Sequence, residues 1–256
     1  MYAFLAAYSG KDPNTSPINT PLIKIPLPNW RITYNGLSKI PGIDKWFQTI
    51  NIQHGYTCNY QLGGYGTNVK FDPLQGDFQD LRDNLNNFIP AIEAGAVSIT
   101  ESMNPVIGLD ITMKNSLQFK AEWRKTRNIS LSMVNFQVSE MSNDELVFGT
   151  GYRFKNLKIT FDFAGVQQQT DGDLTVRVDF SIRDNKTLLR KIEENINQPS
   201  NGQRILSIAV YGEYQITKDF SAKLFYNHTL NKPILTAGQF KQLSIDAGIS
   251  LKIMLN

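Results

Sequence analysis

The sequence predicts an all-β fold, an antiparallel meander of about twelve strands with a few short helical turns in its loops. Three observations lead to this prediction. Apolar and polar residues alternate with a period of two along most of the chain. Many of the alternating segments reach ~10 residues or more, and tight turns separate several of them.

The last segment shows the alternation most clearly. One parity is aliphatic and the other is polar: Leu243, Ile245, Ala247, Ile249, Leu251, Ile253 and Leu255 against Ser244, Asp246, Ser250 and Lys252. Such an aliphatic face meets either a second sheet, as in a soluble sandwich, or lipid, as in an outer-membrane β-barrel. Strands in soluble proteins are usually ~5 or 6 residues long, so the strand length favours a transmembrane barrel.

The first half of the chain alternates strands with long loops. The opening "MYAFLAAY" is expected to be a strand, and residues 9–29 a proline-rich, extended loop. Strands are predicted in "WRITYNGL" and "INIQHGYTCNYQLGGYGTN", with a short helical turn between them in "IPGIDKWFQTI". Residues 63–95 are predicted to be a long loop, with one helical turn near "FQDLRDNLNNF".

The second half is almost continuous strand. Segments with strand alternation are "GAVSIT", "VIGLDITMKNSLQFKAEWRK", "NISLSMVNFQVSE", "LVFGTGYRF", "LKITFDFAG", "LTVRVDFSIRD", "ILSIAVYGEYQIT", "FSAKLFYNHTL" and the terminal segment. Residues 185–204 interrupt them. Because Leu188, Leu189, Ile192 and Ile196 have roughly helical spacing, a loop with a short amphipathic helix is predicted there.

Composition excludes several classes of protein. Lys and Arg number 26 against 23 Asp and Glu, and the basic residues form no run, so no nucleic-acid partner is expected. The single cysteine, Cys58, rules out an intrachain disulfide and a metal site of paired thiolates. No stretch reaches the roughly 20 apolar residues of a membrane-spanning helix. The opening residues lack the features of a secretory signal, so the chain is expected to be either intracellular or the downstream piece of a longer polypeptide.

Residues for catalysis are few. His54 and His228 lie in separate predicted strands, and the carboxylates of Glu101, Asp110, Asp162 and Asp179 are assigned to the polar parity of theirs. The glycine-rich "GGYGTN" lacks the lysine and helix start of a phosphate-binding loop. We therefore expect no enzymatic activity, no catalytic or metal site and no cofactor.

Aromatic residues cluster towards several strand ends. They are Trp30, Trp46, Tyr65, Trp123, Tyr152, Tyr211 and Tyr226. Either they form the interfacial girdles of a membrane barrel or they pack a core, and the first interpretation is preferred.

Three segments carry a resemblance to a known family: "AFLAAYSGKDP", "IPLPNWRITYNGLSKIP" and "DFSIRDNKTLLRKIEENINQPSNGQRILSI". They resemble the C-terminal part of the SprA/Sov family, the giant outer-membrane translocon of the type IX secretion system in Bacteroidota. The resemblance continues through "NKPILTAGQF" to the last strand and covers nearly the whole chain. It implies that residues 1–256 are the C-terminal segment of a very large barrel, one of about 36 strands.

The resemblance also implies a function and partners. Family members pass folded cargo proteins from the periplasm to the cell surface and support gliding motility. They work with a shuttle barrel and a plug protein, and an inner-membrane motor supplies energy. The expected partners of this chain are therefore the lipid bilayer, the remaining N-terminal strands of the translocon, these two proteins and secreted cargo.

Alone, such a segment would expose two strand edges, which a membrane does not tolerate. We therefore expect it to need the missing strands or an artificial closure into a smaller barrel. Two alternatives remain: a self-contained, porin-like outer-membrane barrel, and a soluble β-sandwich that binds glycans or another protein.

Overall fold

The structure is a computed structural model in which residues 4, 6, 8, 10, 12, 28–72, 79–84, 86, 92–163, 166–192, 194–216, 220–234 and 240–253 are described. These residues form strands almost throughout, which confirms the predicted all-β class. A short 3₁₀ turn lies at Gly36–Lys39. In the described residues, no helix is long and apolar enough to span a bilayer.

The strands run in chain order along the sheet. They are β1 (Trp30–Tyr34), β2 (Phe47–Gly63), β3 (Gly66–Thr67), β4 (Ile92–Glu93), β5 (Ala96–Met113), β6 (Leu117–Ser132), β7 (Gln137–Phe163), β8 (Val166–Lys191), β9 (Ile196–Gln215), β10 (Phe220–Pro233) and β11 (Gln242–Ile253). Strands β3 and β4 pair only with each other.

The other nine strands form one antiparallel sheet in the order β1-β2-β5-β6-β7-β8-β9-β10-β11. Apart from the β3–β4 excursion, every strand pairs with its neighbour in sequence, so the predicted antiparallel meander is confirmed. The sheet does not close: β1 and β11 each pair on one side only within the described part of the chain. The artificial closure into a smaller barrel is therefore not seen.

Strand β7 contains two segments that the sequence predicts to be separate strands. "LVFGTGYRF" and "LKITFDFAG" were expected to be separate strands, but β7 runs through both and has 27 residues. Asn156, with a φ of 53°, lies in a β-bulge between Phe154 and Leu157. The bulge adds one residue to β7, so Phe154 and Leu157 both fall on the same face despite their opposite parity.

The predicted interruption at residues 185–204 is wrong. Strand β8 continues to Lys191 and β9 begins at Ile196, so the two form a hairpin closed by a tight turn. Asn195 has a φ of 51° in this turn, and its N–H donates to the carbonyl of Ile192 at 3.4 Å. Leu188 pairs with Glu140 and Pro199 in the ladder and does not lie on a helix.

Other expectations about the loops have mixed outcomes. Strand β1 and a turn at residues 41–46 lie as predicted. Phe4, Ala6 and Tyr8 are helical, so the opening strand is wrong, in keeping with the helix-forming alanines and leucine there. Residues 79–84 and 86, the described part of the second predicted helical turn, are not helical, and most of the 9–29 loop lies outside the described residues.

The sheet is a single layer with little core. Seven apolar side chains are buried among the described residues: Ile50, Tyr56, Val97, Ile99, Ile129, Leu131 and Tyr214. Apart from the two-residue pair β3–β4, the described part contains no second sheet. The soluble β-sandwich, which requires two packed sheets, is therefore not the architecture of these residues.

Candidate membrane-facing surface

The two faces of the sheet differ in polarity. The strand registers align the apolar residues of successive strands on one side, which we call the aliphatic face; the opposite side is the polar face. Two register rows bound an apolar region of the aliphatic face. One row joins Leu146, Ile182, Leu206, Leu230 and Leu243, and the other joins Phe154, Leu174, Tyr214, Ala222 and Leu251.

We call the aliphatic-face residues between these rows the aliphatic belt. It covers residues 146–154 of β7, 174–182 of β8, 206–214 of β9, 222–230 of β10 and 243–251 of β11, and it continues into 107–113 of β5 and 117–123 of β6. Nine residues rise about 26 Å along a strand at about 3.3 Å each. That height is close to the ~25 Å apolar band of outer-membrane barrels.

The belt is open to its surroundings. Ile249 is 72% exposed, Leu243 and Leu224 are each 58% exposed, and Phe148 is 50% exposed. Large apolar side chains of β5, β6, β7, β9, β10 and β11 are therefore exposed on this face, and those of β8 between them are half-buried. Soluble monomers rarely expose an apolar patch larger than a few hundred Å², so this surface has the character of an interaction site.

Aromatic side chains lie at both ends of the belt. At one end the indole N–H of Trp123 donates to Asp144 at 2.6 Å, so its ring lies over the belt and its polar edge meets the charged residues beyond. At the other end Tyr152 and Phe154 pack edge to face, 4.7 Å apart. Among the other predicted girdle residues, Tyr226 is central in the belt and Tyr211 lies on the polar face.

The remaining predicted girdle residues lie outside these strands of the belt. Trp30 of β1 stacks on Tyr56 at 4.6 Å, and Trp46 and Tyr65 are exposed in connections.

Charged residues follow the belt at the Trp123 end of the aliphatic face. The first register row beyond the belt is Lys125, Asp144, Asp184, Arg204 and Lys232. Arg204 binds both carboxylate oxygens of Asp184, at 2.6 and 2.7 Å, and this contact lowers the pKa of Asp184. The belt therefore ends at a straight line of charges, as expected where hydrocarbon gives way to water.

A second apolar patch lies beyond these charges, and the chain covers it. Val97, Ile99 and Leu131 are almost fully buried there. Tyr56 donates its hydroxyl to Glu101 at 3.0 Å, and Tyr8 of the opening segment also hydrogen-bonds Glu101. Burial, followed by Glu101, raises the pKa values of both tyrosines. This covered patch contrasts with the open belt.

The polar face carries a chain of ion pairs across β6, β7 and β8. Glu122 pairs with Lys120 at 2.8 Å and with Arg124, and Arg124 reaches Glu145 at 3.4 Å. Glu145 also accepts from Arg183 at 2.8 Å. We call these five residues the ion-pair ladder. Its two carboxylates are only 9% and 12% exposed, so three cations hold them in place.

Sequence reasoning missed the ladder. Its signal is "KAEWRK", in which Lys120, Glu122 and Arg124 share one parity of a strand. The cross-strand partners Glu145 and Arg183 depend on register, and a sequence alone does not specify register.

The structure does not bring the candidate catalytic residues together. His54 lies on β2 with its Nδ1 2.6 Å from the carbonyl of Val106, whereas His228 lies on β10 beside the hydroxyl of Tyr226. Cys58 is half-buried, and its N–H donates to Asn29. "GGYGTN" forms the end of β2 and strand β3. Among the described residues, no three His, Cys, Asp or Glu side chains cluster as metal ligands.

The carboxylates are also dispersed. Asp110 on the polar face accepts from Gln53 at 3.1 Å, and Asp179 on the same face pairs with Arg177 at 2.8 Å. Glu101 was assigned to the polar parity, which is wrong: it aligns with Cys58 and Arg127 on the aliphatic face, beyond the belt. The side chain of Asp162 lies outside the described residues.

No family model matches the chain, and no curated protein sequence matches it. The assignment of this surface therefore rests on its geometry. The described residues form a single open sheet with an apolar belt on one face and ion pairs on the other. An outer-membrane β-protein is compatible with this arrangement.

Proposed function

We propose that the chain is part of the wall of an outer-membrane, protein-conducting channel that exports folded cargo from the periplasm to the cell surface. The observation that carries the proposal is the aliphatic belt, which spans seven neighbouring strands, is about nine residues high on β7 to β11, and is exposed on six of the strands and half-buried on β8. Hydrocarbon tails would cover the belt, and the polar face would line an aqueous lumen.

The open sheet supports a large, shared barrel over a small, self-contained one. Nine strands pair in a row without meeting end to end, which leaves β1 and β11 free to pair with further strands of the same wall. A porin-like barrel built from this chain alone would need β1 to pair with β11. The resemblance to the SprA/Sov family, whose members form type IX secretion translocons, agrees with a shared wall.

The polar face supports passage of folded proteins. Glu122 and Glu145 are tied to cations, so the wall offers polar but largely neutralised groups to a passing surface. This role requires no covalent chemistry and no cofactor. The expected partners are the remaining strands of the translocon, a shuttle barrel, a plug protein and the cargo.

Depletion of the chain in the bacterium that produces it tests the proposal. Surface and secreted proteins should accumulate, folded, in the periplasm, while uptake of small solutes stays unchanged. Quantitative proteomics of periplasm and medium gives the first readout, and growth on a porin-dependent nutrient gives the second. Unchanged export, or a loss of small-solute uptake instead, would contradict the proposal and favour the porin-like alternative.

A further inference from the structure

An apolar groove lies within the aliphatic belt over β5 to β8. It has a volume of about 370 Å³, and its walls are Leu109, Phe119, Phe148, Val178 and Phe180. Ala121 lies in register between Leu109 and Phe148, and its small side chain leaves room between Phe119 and Phe148. A groove of this kind, open along an exposed apolar surface, suits an extended acyl chain.

Three lysines beyond the belt have no partner. Lys125, Lys186 and Lys232 lie on the aliphatic face of β6, β8 and β10, and none makes an ion pair within the described part of the chain. The acids around them are engaged: Asp144 with Trp123, Asp184 with Arg204, Glu140 with Arg127 and Arg190, and Glu101 with Arg127 and Tyr56. The surplus charge at this edge is therefore positive.

The groove and the lysines are correctly placed for one amphiphile. Lys125 follows Ala121 by four residues on the same strand face, which is about 13 Å along β6. Lys186 lies two strands away, about 10 Å across the sheet. A ligand with its acyl chain over Ala121 would thus present its headgroup to both lysines, and lysine is a common phosphate partner.

The loops indicate which leaflet this edge faces. The longest connection, from Gly63 to Ala96, lies at the lysine end of the sheet. The other connections at the lysine end are Ser132 to Gln137, Lys191 to Ile196 and Pro233 to Gln242, with 4, 4 and 8 residues between the strands. The connections at the opposite end are Tyr34 to Phe47, Met113 to Leu117, Phe163 to Val166 and Gln215 to Phe220, with 12, 3, 2 and 4 residues. In total, the lysine end carries the longer loops. Outer-membrane barrels have short periplasmic turns and longer extracellular loops, so the lysines would lie at the outer leaflet.

We propose that the groove and Lys125 with Lys186 form a binding site for lipid A, the phosphate-bearing, multiply acylated lipid of the outer leaflet. One acyl chain fills the groove over Ala121, and a phosphate binds the two ammonium groups. This inference rests on the proposed membrane location of the chain.

The test uses the assembly that contains the chain, purified from outer membranes in detergent and stripped of lipid. Lipid A is titrated in, and native mass spectrometry counts the bound molecules. Lys125→Gln with Lys186→Gln, and separately Ala121→Phe, should each weaken binding at least about tenfold. Lys223→Gln with Lys252→Gln removes the same charge from the polar face of β10 and β11, away from the groove. Ala247→Phe adds the same ring to the belt outside the groove, and both variants should bind as the unaltered chain does.

Equal lipid A binding by all variants would overturn the inference alone, and so would phosphatidylglycerol binding as tightly as lipid A. A detergent-dependent assembly that binds no lipid A would also overturn it and leave the proposed function standing. A chain that sediments as a soluble monomer without detergent would contradict both this inference and the proposed function.

Discussion

At the residue scale, single side chains determine where the alternation of a strand shifts by one residue. The β7 bulge at Asn156 is closed by Asp173, whose carboxylate accepts the Asn156 N–H at 3.0 Å and the Arg153 guanidinium at 2.6 and 2.9 Å. Without the bulge, Leu157 and Ile159 would move to the polar face, because one residue of slip exchanges the two faces of a strand. A short ion-paired contact thus keeps the apolar face continuous.

This contact is expected to depend on pH. The backbone hydrogen bond from Asn156, followed by Arg153, lowers the pKa of Asp173 below its ordinary value near 3.9. A carboxyl whose folded-state pKa is lowered stabilises the fold above its unfolded pKa, and this stabilisation is lost as the pH falls through the folded-state pKa. Asp173→Asn should therefore speed amide exchange at Asn156 at neutral pH. The difference from the unaltered chain should shrink as the pH falls below about 4 and vanish only below the lowered folded-state pKa of Asp173.

Hydrogen–deuterium exchange of residues 150–160, compared at each pH, measures this effect. Asp171→Asn, a neighbouring carboxylate change, is the control and should leave Asn156 unaffected. A difference that persists undiminished in acid would contradict the role of the carboxylate.

At the element scale, alternation was enough to predict strands but not where they end. The apolar parity of Leu174, Val176, Val178, Phe180 and Ile182 is regular, and β8 contains all of them as predicted. The prediction for residues 185–204 was wrong because Leu188, Leu189, Ile192 and Ile196 fit a helical period. The pairing of Leu188 and Leu189 with β7 depends on long-range register, which the sequence does not specify. The bulges at Asn156 and in β9 were likewise invisible, because they arise from pairing and not from local sequence.

Strand β8 allows the two faces to be compared directly. Val178 lies in the middle of the aliphatic belt, and Ser181 lies on the polar face of the same strand. Val178→Lys should destabilise the assembly in lipid by about 2–4 kcal/mol, the cost of a lysine at the bilayer midplane. Ser181→Lys should cost under about 1 kcal/mol, because its ammonium remains in water.

Urea unfolding in lipid vesicles measures both changes. Equal costs for the two substitutions would contradict the assignment of the faces, and a larger cost for Ser181→Lys would reverse it.

At the scale of the whole molecule, the chain is a wall without a core. Its buried apolar residues gather mainly near Val97 and Ile99, whereas most of the belt is exposed or half-buried and only Tyr214 of its described large apolar side chains is buried. The sequence predicted the all-β meander and the two faces, because both follow from a period of two. Alternation does not distinguish a second sheet from lipid; in the described residues the structure shows a single layer, with only the small β3–β4 pair beside it.

The central claim is that hydrocarbon tails cover the aliphatic belt. Spin labels test it directly, after Cys58→Ser removes the only native thiol. Cysteines introduced one at a time at residues 176–181 are labelled in the membrane-embedded assembly, and collisions with oxygen and with a water-soluble nickel chelate are measured. Labels at Val176, Val178 and Phe180 should collide more often with oxygen, because oxygen dissolves in the bilayer. Labels at Arg177, Asp179 and Ser181 should collide more often with the nickel chelate. Aliphatic-face labels that meet neither reagent, as under a packed protein layer, or that meet nickel, would contradict the claim.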